Sequence, residues 1–127
     1  MSKPRVWIDT FLPSGFGALL VLGLLAANLA FNVLANASFK VSALSANWRG
    51  FLFWQVVGNL SGFLTVLSLT WLLRYDALHV VFPLTTGLAV VGVQVLAAAL
   101  FFHETITPPQ WLGTILIVLG IMLIGGR

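Results

Sequence analysis

The side chains best placed for chemistry form a ladder of amides. Asn28, Asn32 and Asn36 recur every fourth residue and the run ends on Lys40. On an α-helix, positions four apart are neighbours along one face, so the ladder makes a polar stripe on an otherwise apolar cylinder. Gln55 and Asn59 repeat the spacing further along, followed by Ser61, Thr65 and Ser68, and later by Thr85, Thr86 and Gln94. Amides donate and accept hydrogen bonds but exchange no proton near neutral pH. The chemistry on offer is therefore recognition of a polar or sugar-bearing group. The bland alternative is interhelical hydrogen bonding, worth about 0.6–2 kcal/mol per contact in a membrane. Both readings stay open, and a dimer interface could enclose a cavity and satisfy both. Hydroxyls in membrane helices more often bond their own backbone, so Thr85 and its neighbours count as secondary candidates.

Catalysis is not expected. Asp9, Asp76 and Glu104 all fall at segment ends or in loops, whereas an intramembrane carboxylate is the usual relay for coupled protons or cations. His103 beside Glu104 resembles an acid–base or metal pair, but two adjacent loop residues make a poor site, and capping or interfacial roles fit better. No nucleophile constellation, phosphate loop or metal spacing is present, so neither a cofactor nor a metal is expected. There is no cysteine, hence no disulfide, thiolate site or lipidated cysteine. The net charge of +3 comes from scattered basic residues, which form no patch for nucleic acid.

These residues must be positioned by membrane helices. Of the 127 residues, 60% are hydrophobic and 7% charged, against about 25% charged in soluble domains. The mean hydropathy is +1.07. The expected fold is all-α, an integral membrane bundle of four transmembrane helices in a single domain over residues 15–127. The spans are placed at about residues 15–39, 51–73, 78–102 and 110–124, behind a juxtamembrane tail over 1–14. In the tail, Trp7 and Phe11 suit the headgroup region. Pro109 suits the first turn of the last helix, where its missing N–H costs nothing. Lys3, Arg5, Arg74 and Arg127 would lie on one side of the membrane, Lys40 and Arg49 on the other. The positive-inside rule then favours cytoplasmic termini, with dual insertion left open. A rival reading treats the first span as a signal peptide cleaved at Ala35-Asn36-Ala37; an apolar run nearer 20 residues than the usual ~7–15 weighs against it.

Two further features concern movement and assembly. Pro83 removes a backbone donor near the start of the third span, and Gly87 and Gly92 follow, so Pro83 and Gly87 form a candidate hinge, with a static bend as the alternative. Gly113 and Gly120, seven apart in the fourth span, would admit a second helix at close range and are candidates for a dimer interface; packing within one protomer is the alternative.

Assembled, these residues resemble the drug/metabolite transporter superfamily. The pattern is a first helix ending in Lys40, then Pro83-Leu84-Thr85-Thr86-Gly87. A turn reading His103-Glu104-Thr105-Ile106-Thr107-Pro108-Pro109-Gln110-Trp111 follows, then Gly113 and Gly120. The size is similar to that of small multidrug resistance and EamA-like proteins, a resemblance that implies a dimer built on Gly113 and Gly120. Asn32 occupies the position of that family's essential glutamate, eight residues before the lysine, and Thr85 that of its third-helix tryptophan. Proton-driven drug export is therefore not carried over. A closer likeness is to the paired subunits proposed to flip aminoarabinose-phosphoundecaprenol. It rests on Asn36 four residues before Lys40, on Pro83-Leu84, and on the loop residues His103, Glu104, Pro108 and Trp111. That likeness implies a bacterial inner-membrane flippase subunit, homodimeric or paired with a paralogous small subunit. Its cargo would be an amphipathic or lipid-linked sugar whose phosphate meets Lys40. The alternatives weighed are a non-transporting interaction or regulatory subunit and a small multidrug-resistance-type exporter lacking the usual first-helix glutamate.

Overall fold

A computed structural model describes residues 16–126. The tail over 1–14, Gly15 and Arg127 lie outside the described residues. Four helical stretches follow one another: α1 (Phe16–Ala43), α2 (Trp48–Leu72), α3 (Leu78–Gly92) and α4 (Pro108–Gly126). α3 continues without a break into a π-helical segment, Val93–Phe101. The chain is thus an all-helical membrane bundle. Leu19–Ala43, Trp48–Leu72 and Leu78–Phe101 are each long and apolar enough to cross a membrane, and the shorter Pro108–Ile124 is equally apolar in character. The observed helices begin or end up to four residues from the expected spans, and capping accounts for the early starts of α2 and α4. Asn47 accepts a 2.8 Å bond from the Gly50 N–H and starts α2 three residues early. Pro108 and Pro109 both fit the first turn of α4, and the Gln110 side chain accepts from the Thr107 N–H at 2.8 Å, the reciprocal half of a capping box.

The bundle is organised around α1, which packs on α2 and along both parts of α3. α1 and α2 are antiparallel, since Asn28 bonds Thr65 and Ser42 bonds Phe51. Their seam is built from small residues. Asn28, Ala35, Ser38 and Ser42 on α1 are buried, as are Gly58, Ser61, Ser68 and Leu72 on α2. On α2 the buried positions and half-buried Thr65 alternate steps of three and four, the spacing that keeps one stripe facing a partner helix. Lipid supplies no hydrophobic drive between helices, so close backbone approach and interhelical hydrogen bonds must hold them. Phe39 packs against Gly58, where any Cβ would meet its ring.

Glycine serves the other contacts in the same way. Gly92 receives Leu29 and Val33 of α1, and Gly87 receives Ile117 and Ile121 of α4. α4 packs chiefly on α3, and a hydrogen bond pins it: the Thr114 hydroxyl donates to Gln94 Oε1 at 2.6 Å. Most large apolar side chains point outward, among them Leu52, Phe53, Phe63, Leu116 and Leu123. In water such a surface would aggregate; in lipid it is the solvated face.

Candidate functional site

The asparagine ladder is split by the geometry of the helix that carries it. Each four-residue step overshoots a full turn by about 40°. Asn28 sits on the seam, 3% exposed, and its amide nitrogen donates to the Thr65 carbonyl at 3.0 Å and to Ser68 Oγ at 3.2 Å. Asn32 has rotated to a half-buried position and Asn36 to an exposed one. Asn36 Nδ2 donates back to the Asn32 carbonyl at 2.9 Å and to Asn32 Oδ1 at 3.0 Å. One asparagine is therefore an interhelical tie, and two form a pair within their own helix.

α2 carries a matching pair. Asn59 Nδ2 donates to the Gln55 carbonyl at 2.7 Å, and Gln55 Nε2 reaches Ser42 Oγ at 3.3 Å. In an antiparallel pair, rotation in the chain direction from each seam leads to the same side. Asn32 and Asn36 leave the α1 seam in that sense, and so do Gln55 and Asn59 on α2. The Ser42–Gln55 bond and the Phe39–Gly58 contact set the register and stagger the pairs along the hairpin, with Asn36 and Asn59 nearest one another in level and Gln55 level with Ser42. Four amides thus share one side of the α1–α2 hairpin. A shallow depression of about 290 Å³ lies against the α2 pair, lined by Leu52, Gln55, Val56, Asn59 and Leu60.

α3 forms the far wall on that side, because Leu29 and Val33, turned further the same way, reach Gly92. α2 approaches α3 near the turn that joins them, where Leu72, Tyr75 and Val81 are buried, and packs far less on the π-helical segment than α1 does. α2 and the π-helical segment thus flank α1 and diverge toward the α1–α2 loop, leaving an open-sided cleft over α1; the depression beside Gln55 and Asn59 is lined by α2 alone. At the cleft's wide end an ion pair joins α1 to the turn after the π-helical segment. Lys40 Nζ lies 3.2 Å from Glu104 Oε2, both side chains 45% exposed. At that exposure the pair is worth little as a fastener, about 0–1 kcal/mol. It does place a cation and an anion at the mouth of an amide-lined cleft.

The remaining candidates are distributed. Thr85 is buried, and its hydroxyl donates to the Val81 carbonyl at 2.9 Å and the Phe82 carbonyl at 3.2 Å, facing its own helix. α3 runs helically through Pro83, and its departure from α geometry comes later, at Val93. Gly87 is the seat for Ile121 and Ile117. Gly113 and Gly120 have open space where a Cβ would stand, so they are not used to pack this protomer. His103 adopts a left-handed φ of 55°, the conformation that ends the helix, while Glu104 N–H donates to the Ala98 carbonyl at 2.8 Å. Pro108 is the first residue of α4, and Trp111 is 40% exposed one turn on. Among the described residues no cluster of three or more His, Cys, Asp or Glu could hold a metal.

Sequence reasoning missed the serine seam and two contacts. Ser38 and Ser42 are essentially fully buried; the seven-residue spacing of Asn28, Ala35 and Ser42, with Ser38 three beyond Ala35, was the available signal. The Lys40–Glu104 and Gln94–Thr114 contacts carry no local signal, since they join residues far apart in the chain. No protein-family model, curated protein or solved structure matches the chain.

Proposed function

We propose that this chain is a subunit of a membrane transporter or flippase that passes the polar head of an amphipathic metabolite through the amide-lined cleft. The observation that carries the reading is the unspent hydrogen-bonding capacity of Asn36 and Asn59. Both are exposed, both donate only within their own helix, and Asn59 falls at the middle of the Trp48–Leu72 span. An amide left unpaired in hydrocarbon costs about 2–7 kcal/mol, so such groups persist where water, cargo or another chain meets them. Lys40 at the mouth adds a cation for an anionic group. Amides, a lysine and a lipid-open side together suit a polyprenyl-phosphate-linked sugar: the sugar meets amides, the phosphate meets Lys40, and the chain stays in lipid. The resemblance to the drug/metabolite transporter superfamily adds a bacterial inner-membrane setting, and the positive-inside rule puts both termini in the cytoplasm. The resemblance also adds a homodimer, or a heterodimer with a paralogous subunit. The test is flipping of a fluorescent polyprenyl-phosphate sugar in reconstituted vesicles. Lys40→Ala and Asn36→Ala should each slow it severalfold; unchanged rates in both would end the proposal.

A second reading has its own support. The α4 face bearing Gly113 and Gly120 is open, apolar and unused within the protomer. A subunit that only holds another membrane protein would need such a face and no cleft. In that case Asn36→Ala leaves complex formation intact and Gly113→Leu abolishes it.

A further inference from the structure

We infer that the second half of α3 is a register switch that opens and closes the wide end of the cleft, an inference that rests on the transport reading above. Val93–Phe101 is nine residues of continuous π-helix. π geometry is rare and mostly confined to single-turn bulges, so a run of this length needs a cause. The local sequence supplies none. Val93-Gln94-Val95-Leu96-Ala97-Ala98-Ala99-Leu100-Phe101 holds no proline or glycine, and its alanines and leucines are among the strongest α-formers. The π register must therefore be held from outside, and the contacts that hold it are visible at both ends. Near the start, Gln94 Oε1 accepts the Thr114 hydroxyl of α4. At the end, Phe102 N–H donates to Ala97 O at 2.9 Å and Glu104 N–H to Ala98 O at 2.8 Å, bonds that close the helix from within, and the contact from outside is the weak pair of Glu104 with Lys40 of α1. A segment whose own preference is α and whose tertiary contacts impose π has two packings to choose between.

The two registers differ where it matters for the cleft. An α-helical residue turns further about the axis than a π-helical one, so the offset accumulates from Val93 and is largest at Phe101–Glu104. Conversion to α carries Glu104 away from Lys40. Lys40 is then unpaired at the cleft mouth, beside the Asn32–Asn36 pair. An anionic headgroup that engages Lys40 competes with Glu104 for it, and so favours the α register; by linkage, the α register binds the anion more tightly. The device couples arrival of an anionic cargo to movement of one wall, with no titratable group inside the span.

The test is a spin-label scan of positions 95–103 in protein reconstituted into vesicles, with oxygen as the lipid-contact probe and a neutral nickel chelate as the water probe. In the unaltered chain, oxygen contact should peak at Leu96 and again at Leu100 and Phe101, the residues exposed now. In Glu104→Gln and in Gln94→Leu, the pattern should tighten to the α period: Ala99 and His103 gain oxygen contact and Phe101 loses it. A period of about 3.6 residues in every background, or the wide spacing retained in both variants, overturns the switch. Labels at positions 36 and 59 in the same vesicles report on the cleft separately. If the nickel chelate never reaches them, the transport reading fails, whatever the register does.

Discussion

Asn28 and Asn36 are the same residue type on the same helix, two steps of one ladder apart, and they should respond oppositely to removal. In Asn28→Ala, two interhelical hydrogen bonds are lost, at 3.0 and 3.2 Å. Ser68 Oγ still donates to the Thr65 carbonyl at 2.8 Å, so no hydroxyl is orphaned. At roughly 0.6–1.7 kcal/mol for each membrane hydrogen bond, plus a small cavity on the seam, the variant should lose about 1–4 kcal/mol. Asn36→Ala removes a bond within one helix from an exposed side chain and should change stability by no more than about 0.5 kcal/mol. The assay is equilibrium unfolding in mixed micelles by titration with a denaturing detergent, following tryptophan fluorescence, with transport measured on the same preparations. Asn36→Ala should be stable and slow, Asn28→Ala unstable with substantial activity in the fraction that folds. Equal losses of stability in the two variants would refute the division of the ladder into a tie and a lining.

Other consequences follow from the packing. Gly58→Ala drives a methyl group into the Phe39 ring and should cost about 1–3 kcal/mol, whereas Gly62→Ala, with open space around its Cβ, should be neutral or stabilising in the same titration. Thr114→Val removes the donor to Gln94 and should loosen α4 by about 0.6–1.7 kcal/mol, read as faster hydrogen exchange in α4 with α1 and α2 unchanged. At the left-handed position after the π segment, His103→Gly should be tolerated or stabilising. His103→Val should cost about 1–2 kcal/mol, measured as a lowered thermal midpoint.

Much of the architecture was readable because membrane helices announce themselves by length and hydropathy. Trp48–Leu72 and Leu78–Phe101 lie within three residues of the spans inferred from composition. The amide ladder was readable as a polar stripe, but not as two different things, because a four-residue repeat on a helix of 3.6 residues per turn drifts off any straight seam. Which step meets the neighbour depends on where α2 sits, and that is fixed by small residues such as Ala35, Ser38 and Gly58, whose lack of bulk gives no loud signal. Pro83 drew attention as a breaker, yet the helix passes through it, and the departure from α geometry falls in an alanine-rich stretch with no breaker. A stretch rich in alanine and leucine reads as ordinary α-helix, so no local reading of the chain could have found that departure. Gly87 and Gly92, read from the chain as points of local freedom, also seat Ile121 and Leu29.

Transport through the cleft stands or falls on whether its amides meet water. The chain has no native cysteine, so single cysteines can replace Asn28, Asn36, Gln55 and Asn59 in turn, with Ala27 and Leu60 as references, and be challenged in intact membranes with a small charged thiol reagent. A wet cleft predicts that positions 36 and 59 label rapidly, position 55 more slowly, and position 28 scarcely at all. Protection of 36 and 59 to the level of position 28 would contradict it, and would mean that those amides are covered by another chain rather than open to a cargo.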